Sequence, residues 1–294
     1  MHMKTRLPLI ISLLGSFALA ACGGGGGGST SDAQVAAPAS SASAPVTASA
    51  PAAASTPAVT GEALPSLSAP QAGSTAATGN GFEGIWTQQS STSRLTALVD
   101  PSNNISYTSA VFSIVTNMFF GTMTTAAPNW TLTSGFEALN NILYPATSGS
   151  GTFTANQTLT GSYVANNSTV NLSLNYDPAN ALAVSQSSVA GTWTESESTM
   201  TVDNAGGFTG SFLGCGVAGT LALTTAGSSK NFYTMTVSGT TNSCTLRAGV
   251  TYTGNAAITF LPVSGSTTLY ERTIVYHVKA ADNSVIASGQ LAKQ

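Results

Sequence analysis

Charged residues are scarce in this sequence: Lys, Arg, Asp and Glu make up 6% of its 294 residues, as 8 basic and 11 acidic side chains. It has no stripe of basic residues, the electrostatic footprint of nucleic-acid-binding proteins, so it predicts no nucleic-acid partner. Histidine and cysteine are also rare, with 2 and 3 residues, and no Cys-x-x-Cys spacing occurs. Zinc and redox sites need such clusters, so we expect neither a metal nor a cofactor.

Recognisable catalytic motifs are missing as well. The segment Gly210-Ser-Phe-Leu-Gly214 has its serine one place too early for a nucleophile elbow. His277 is the only histidine outside the first residues, and strand alternation predicts that it faces solvent opposite Tyr276. Glu195 and Glu197 are two residues apart, which puts both carboxylates on one strand face, where they serve either solubility or glycosidase chemistry. We therefore predict that the protein is not an enzyme and has no catalytic residue.

The first 21 residues have the pattern of a secretory signal peptide. Lys4 and Arg6 give a basic start, and the apolar run at residues 7–18 is shorter than the roughly 20 residues that cross a bilayer as a helix. The run ends in Leu19-Ala-Ala-Cys22, which resembles the lipobox of bacterial lipoproteins. The resemblance implies cleavage before Cys22, acylation of that cysteine and a lipid anchor in the membrane. In lipoproteins of enteric bacteria, Asp after the cysteine marks retention in the inner membrane. Position 23 is Gly, so the resemblance implies the outer membrane, without indicating on which face of it the protein lies.

Low-complexity sequence follows the cysteine. Residues 23–28 are all glycine, and the chain to about residue 80 is almost wholly Ala, Ser, Thr, Pro and Gly, with no aromatic residue. Such a composition buries too little apolar surface to offset chain entropy, so residues 22–80 are predicted to be a disordered tether. Removal of the signal peptide leaves six basic residues against 11 acidic ones, a formal balance of −5.

From residue 81 onward, short alternating segments predict an all-β protein. Thr169–Tyr176 places Val170, Leu172 and Leu174 on one face, and Tyr270–Val278, Phe232–Ser238 and Ser198–Val202 also read as strands. Period-two alternation between Gly, Asn and Ser turns is typical of an antiparallel barrel or sandwich. The one plausible helix is Gly135–Leu143, which could equally be a loop.

An internal repeat divides this region into two β domains, residues 81–187 and 188–294. Gly84-Ile-Trp86-Thr87 recurs 107 residues later as Gly191-Thr-Trp193-Thr194, and Val-Asp at 99–100 recurs at 202–203. The halves form either two similar barrels, which the repeated signature favours, or one sheet system built by duplication. Asp100 and Asp203 are interpreted as turn residues.

The second copy of this signature resembles the first hairpin of avidin-type barrels and the Gly-x-Trp opening of lipocalins. This resemblance implies a calyx whose floor is closed by Trp86 or Trp193; the alternative is a tryptophan in the core of a sandwich. Ser198 matches a ligand-contacting serine of the avidin pattern, whereas Glu195 and Phe212 depart from it, so biotin is not expected. Arg272 either stacks on Trp193, as a lipocalin arginine does, or extends from a barrel end. The candidate ligand-lining residues are Trp86, Trp193, Ser198, Phe212, Tyr233, Arg272 and Tyr276.

Cys215 and Cys244 are the two remaining cysteines, an even pair in an exported chain, so we predict a disulfide. The segments around them, Gly214–Gly216, Asn231–Tyr233 and Ser243–Leu246, are similar to a pattern in uncharacterised proteobacterial lipoproteins, which implies no activity.

The sequence leaves three functions to compare. The first is a non-catalytic outer-membrane lipoprotein whose β domains form a structural or interaction module for an envelope protein. The second is a small-ligand carrier that uses a barrel as a calyx. The third is a glycan-active enzyme around Glu195 and Glu197. A cavity of about 300 Å³ or more behind the tryptophan, with a few converging polar groups, would favour the carrier, whereas side chains that fill both barrels would favour the interaction module.

Overall fold

The computed structural model of this protein describes residues 60–90, 92–111, 114–140 and 142–294. The signal peptide, Cys22 and most of the predicted tether lie outside the described residues. In the described part, the fold is all-β and consists of two closed antiparallel barrels of eight strands each. The prediction of two similar β domains is therefore confirmed, and the barrel is the correct one of the two architectures considered.

Barrel 1 is an up-and-down barrel in which each strand pairs with the next and the last pairs with the first. Its strands are β1 (Gly84–Gln89), β2 (Ser93–Val99), β3 (Asn104–Val111), β4 (Ile114–Ala126), β5 (Asn129–Leu139), β6 (Ile142–Thr154), β7 (Thr158–Ala165) and β8 (Ser168–Tyr176). Trp86 lies opposite Tyr176 where β1 and β8 close the barrel. Of residues 135–143, considered as a helix, residues 135–139 instead lie in β5 and residues 142–143 in β6.

Barrel 2 repeats this topology. Its strands are β9 (Gly191–Glu195), β10 (Ser198–Val202), β11 (Gly207–Phe212), β12 (Cys215–Leu223), β13 (Tyr233–Gly239), β14 (Tyr252–Pro262), β15 (Tyr270–Ala280) and β16 (Ile286–Lys293). Trp193 lies opposite Lys293 at the closing pair of β9 and β16. Two 3₁₀ turns, Pro178–Ala181 and Gln186–Val189, connect the barrels.

The repeat extends to individual hydrogen bonds. Trp86 donates its indole N–H to the carbonyl of Phe82, and Trp193 donates to the carbonyl of Val189, four residues before it in each case. Both tryptophans are fully buried, and the glycine two residues before each has a positive φ, 128° and 122°. At Gly84 a Cβ atom would approach the side-chain oxygen of Asn180 to 2.4 Å, so a larger residue does not fit.

Residues before the predicted boundary at residue 81 are part of the fold. Glu62 exchanges two backbone hydrogen bonds with Tyr270, at 2.9 and 2.8 Å, and its carboxylate accepts from Arg272 Nε and Nη2 at 2.5 and 2.9 Å. A short helix, α1 (Thr75–Thr78), follows. Composition alone predicts disorder here because few of these side chains are apolar, but Leu64 packs on the barrel 2 core and Leu67 on the barrel 1 core.

The two barrels belong to one compact unit and share buried surface. Ile85 and Leu98, on the outer face of barrel 1, are part of the same buried cluster as the core of barrel 2. Asn231 is completely buried; its side chain bonds the backbone of Ala179 and Ile258 at 2.7–3.0 Å, and Lys230 forms an ion pair with Glu83. These bonds satisfy buried polar groups, as a stable interface requires.

Candidate ligand site in the first barrel

The residues predicted to line a pocket in barrel 2 form a packed core instead. Trp193, Phe212, Tyr233 and Tyr276 are all buried, and the Phe212 and Tyr276 rings stack at 5.2 Å. Ser198 is also buried, and its hydroxyl accepts a hydrogen bond from the Leu213 N–H at 3.1 Å. The structure brings these residues together as predicted, but they fill the barrel with side chains.

Arg272 does not stack on Trp193. Its guanidinium binds the Glu62 carboxylate and lies 6.0 Å from the centre of the Phe260 ring. Lys293 takes the predicted place, with its ammonium 5.6 Å from the centre of the Trp193 ring. The sequence did not indicate this, because the closing pair of a barrel is known only once the strand count and register are known.

His277 is not exposed as predicted; it is completely buried between the barrels. Its Nδ1 lies 3.0 Å from the Ser106 hydroxyl and its Nε2 lies 3.3 Å from the Thr108 hydroxyl. Removal from water lowers the pKa of His277 to about 3, so the ring is neutral. The alternation of the strand was read correctly, but the outward face of β15 is covered by barrel 1.

Glu195 and Glu197 do not share a strand face. Strand β9 ends at Glu195, and Ser196, with φ of 33°, turns the chain before Glu197. The Glu195 carboxylate accepts from the Gln290 N–H at 3.0 Å, and burial raises its pKa. Asp100 and Asp203 make the predicted turns, each accepting backbone N–H groups two and four residues ahead.

The predicted disulfide joins Cys215 and Cys244, with the two Cα atoms 5.8 Å apart. Cys244 lies in the loop of residues 240–251 between β13 and β14. This loop buries Leu246 in the barrel 2 core, and the Tyr252 hydroxyl bonds Arg247 and Thr245 within it. The loop therefore caps the end of barrel 2 opposite Trp193.

Barrel 1 differs from barrel 2 at the corresponding strands, β5 and β6. Paired residues stop at Thr131 and Ser150 and resume only at Phe136 and Pro145. Between them, residues 132–135 of β5 and 146–149 of β6 form no ladder pairs with each other, and we call this interruption of the sheet the side opening. A cleft of about 390 Å³ lies here, bordered by Leu132, Gly149, Tyr163 and by polar residues of β5, β6 and β7. This volume is within the range of small-molecule sites.

A buried carboxylate lies just beyond the side opening. Glu137, 4% exposed, follows Phe136 on β5, and its Oε1 accepts from Asn117 Nδ2 at 2.7 Å and from the Tyr163 hydroxyl at 3.2 Å. The Tyr163 hydroxyl also contacts the Tyr107 hydroxyl. We call these four residues the Glu137 cluster. They lie on four different strands, so no sequence motif could have shown that they meet.

Comparison of the chain with protein-family models, with curated proteins and with solved structures found no match. Among the described residues, no group of three or more His, Cys, Asp and Glu side chains is arranged to hold a metal ion. No helix in the described ranges is long and apolar enough to cross a membrane.

Proposed function

We propose that this protein is an outer-membrane lipoprotein, acylated on Cys22, in which barrel 1 binds a small molecule and barrel 2 is a structural domain. The observation that carries the binding role is the side opening of barrel 1, with its cleft of about 390 Å³ next to buried polar groups. The matching strands of barrel 2 pair without a gap from Tyr233 to Val237. Of the functions compared from the sequence, the carrier is favoured, with barrel 1 as its ligand-binding part.

The geometry gives less support to catalysis. His277 is buried between the barrels with a hydroxyl on each ring nitrogen, so it has no free position for a substrate. Glu195 is tied to the backbone of β16, and Glu197 lies on the other side of a turn. Neither residue borders the cleft. We therefore propose a non-catalytic binding protein.

The binding role is tested by native mass spectrometry of the full exported chain, purified from its own host in mild detergent. We expect a small molecule that dissociates on unfolding, and its loss in Thr131→Trp, because an indole at this exposed position borders and fills the cleft. Thr209→Trp is the control, since Thr209 is an equally exposed strand threonine on barrel 2. If both variants retain the ligand, the cleft is not the binding site.

Anchoring is tested separately by the intact mass of the same preparation. Acylation adds the mass of the lipid to a chain that begins at Cys22, and Cys22→Ser should release the protein into the aqueous fraction. An unmodified chain in the aqueous fraction of the wild-type host would refute the anchor without affecting the binding role.

A further inference from the structure

Glu137 is a buried carboxylate without a cationic partner. In the described part of the chain, the ion pairs are Lys230 with Glu83 and Arg272 with Glu62, and neither involves Glu137. Asn117 and Tyr163 donate to Oε1, but both are neutral, and among the described residues none donates a hydrogen bond to Oε2. A carboxylate in such surroundings is stabilised by an opposite charge, so this site suits a cation.

A second acceptor near the carboxylate also lacks a partner. Asn117 uses its Nδ2 on Glu137, while its Oδ1 is buried and receives no hydrogen bond. Buried polar atoms are usually bonded, so this oxygen is available to accept a hydrogen bond from a ligand that also contacts the carboxylate. Burial raises the pKa of Tyr107 and Tyr163 far above their usual range, so both hydroxyls stay neutral. A positively charged hydrogen-bond donor would complement both oxygens.

The walls around these oxygens are aromatic. The Phe119 ring lies 4.4 Å from the Tyr163 ring and 5.4 Å from the Tyr107 ring, measured between centres. Tyr144, half-buried, lies directly opposite Glu137 in the β5–β6 pairing. Aromatic faces attract ammonium and guanidinium groups, most strongly where water is excluded.

The Glu137 cluster adjoins the cleft. Tyr163 borders the cleft and its hydroxyl reaches Glu137, so one side chain belongs to both. Phe136 and Pro145 form the first pair beyond the opening, and Glu137 is the next residue. A ligand in the cleft therefore needs to extend past one residue pair to reach the carboxylate.

We propose that barrel 1 binds a small organic cation, a protonated amine, with Glu137 as its counter-ion and Asn117 Oδ1 as a second acceptor. This inference rests on the proposed function, because it requires that the cleft of barrel 1 holds a small molecule. The rest of the ligand occupies the cleft beside Leu132 and Gly149, where there is space for a short apolar or polar chain.

The test is an NMR titration of the full exported chain near neutral pH with two probes, butylammonium and its neutral analogue butan-1-ol. We expect butylammonium to shift the Gly149 and Tyr163 amide resonances, and butan-1-ol to bind at least tenfold more weakly. Glu137→Gln removes the charge but keeps an oxygen for Asn117 and Tyr163, and it should weaken butylammonium binding about tenfold or more. Glu197→Gln, in an exposed turn, is the matched control and should bind as the wild type does.

The outcomes separate the two proposals. Equal binding of both probes in the cleft, or butylammonium binding unchanged in a folded Glu137→Gln variant, would overturn the cation assignment and leave the binding role intact. If Glu137→Gln does not fold, the preference of the wild type for butylammonium over butan-1-ol decides alone. If neither probe shifts the cleft resonances and no molecule co-purifies with the wild type, both proposals fail.

Discussion

Acid should destabilise this protein through His277, the side chain buried between the barrels. Its folded-state pKa is about 3, against 6.5 for an exposed histidine. Below pH 6.5 the unfolded chain takes up a proton at this ring and the folded chain does not, so stability falls as the pH is lowered towards 3. The slope is about 1.4 kcal/mol per pH unit, which gives a loss of about 2.5 kcal/mol between about pH 7 and pH 4.5.

The comparison is with His277→Gln, which stays neutral at every pH and can still bond the Ser106 hydroxyl. His277 is the only histidine after residue 2, so the difference between the two proteins isolates this one group. Its neighbours across β14 and β16, Asn255 and Ser288, do not titrate. The carboxylates make the same contribution to the pH dependence of stability in both proteins, so their effect cancels in the difference.

The measurement is guanidinium unfolding of both proteins at several pH values, followed by tryptophan fluorescence. The stability of the wild type relative to His277→Gln should decline by about 2.5 kcal/mol from about pH 7 to pH 4.5. Parallel pH profiles would refute the reasoning, as would a histidine NMR resonance in the folded protein that titrates near pH 6.5.

Two further perturbations address the packing. Replacing Cys215 and Cys244 by serine opens a loop of 29 residues and should lower the free energy of unfolding by roughly 3–4 kcal/mol, measured by urea titration; an unchanged midpoint would contradict the role of the disulfide. Asn231→Ala leaves buried backbone groups of the connecting 3₁₀ turn and of barrel 2 unbonded and should cost about 3 kcal/mol, whereas Asn171→Ala, on the exposed face of β8, should stay within about 0.5 kcal/mol. Equal effects of the two asparagine substitutions would show that the Asn231 bonds do not hold the junction.

The duplication could be predicted from the sequence because its signals are local. Gly84 and Trp86 recur as Gly191 and Trp193 with the same spacing, and a glycine with positive φ before a buried tryptophan serves the same purpose in both copies. The disulfide could be predicted for a similar reason, since only two cysteines remain after Cys22. Neither inference required knowledge of which strands pair.

The wrong predictions concern residues where the two barrels meet and residues in the long, irregularly paired strand β5. Alternation assigns His277 to the outward face of its strand, but it cannot reveal that a second domain covers this face. In β5, Phe136 and Ala138 face the neighbouring barrel while Glu137 faces the interior, so the usual contrast between apolar and polar positions is reversed.

The candidate site itself was not predictable. Its four polar residues come from β3, β4, β5 and β7, and only the register of the closed barrel brings them together. Except for Trp86, the lining residues that the sequence did suggest belong to barrel 2, whose end is capped by the loop of residues 240–251. The resemblance to calyx proteins was placed on barrel 2, whereas the side opening is in barrel 1.

The contact between Glu62 and β15 has a mechanical consequence. Along the chain, Glu62 binds barrel 2 before the first strand of barrel 1 begins. It exchanges two backbone hydrogen bonds with Tyr270 and accepts two side-chain hydrogen bonds from Arg272. A pulling force applied to the chain before Glu62 therefore acts first on barrel 2. Strands β5 and β6, which flank the side opening, do not bear this force directly, so we expect their pairing to be unchanged while the chain is pulled.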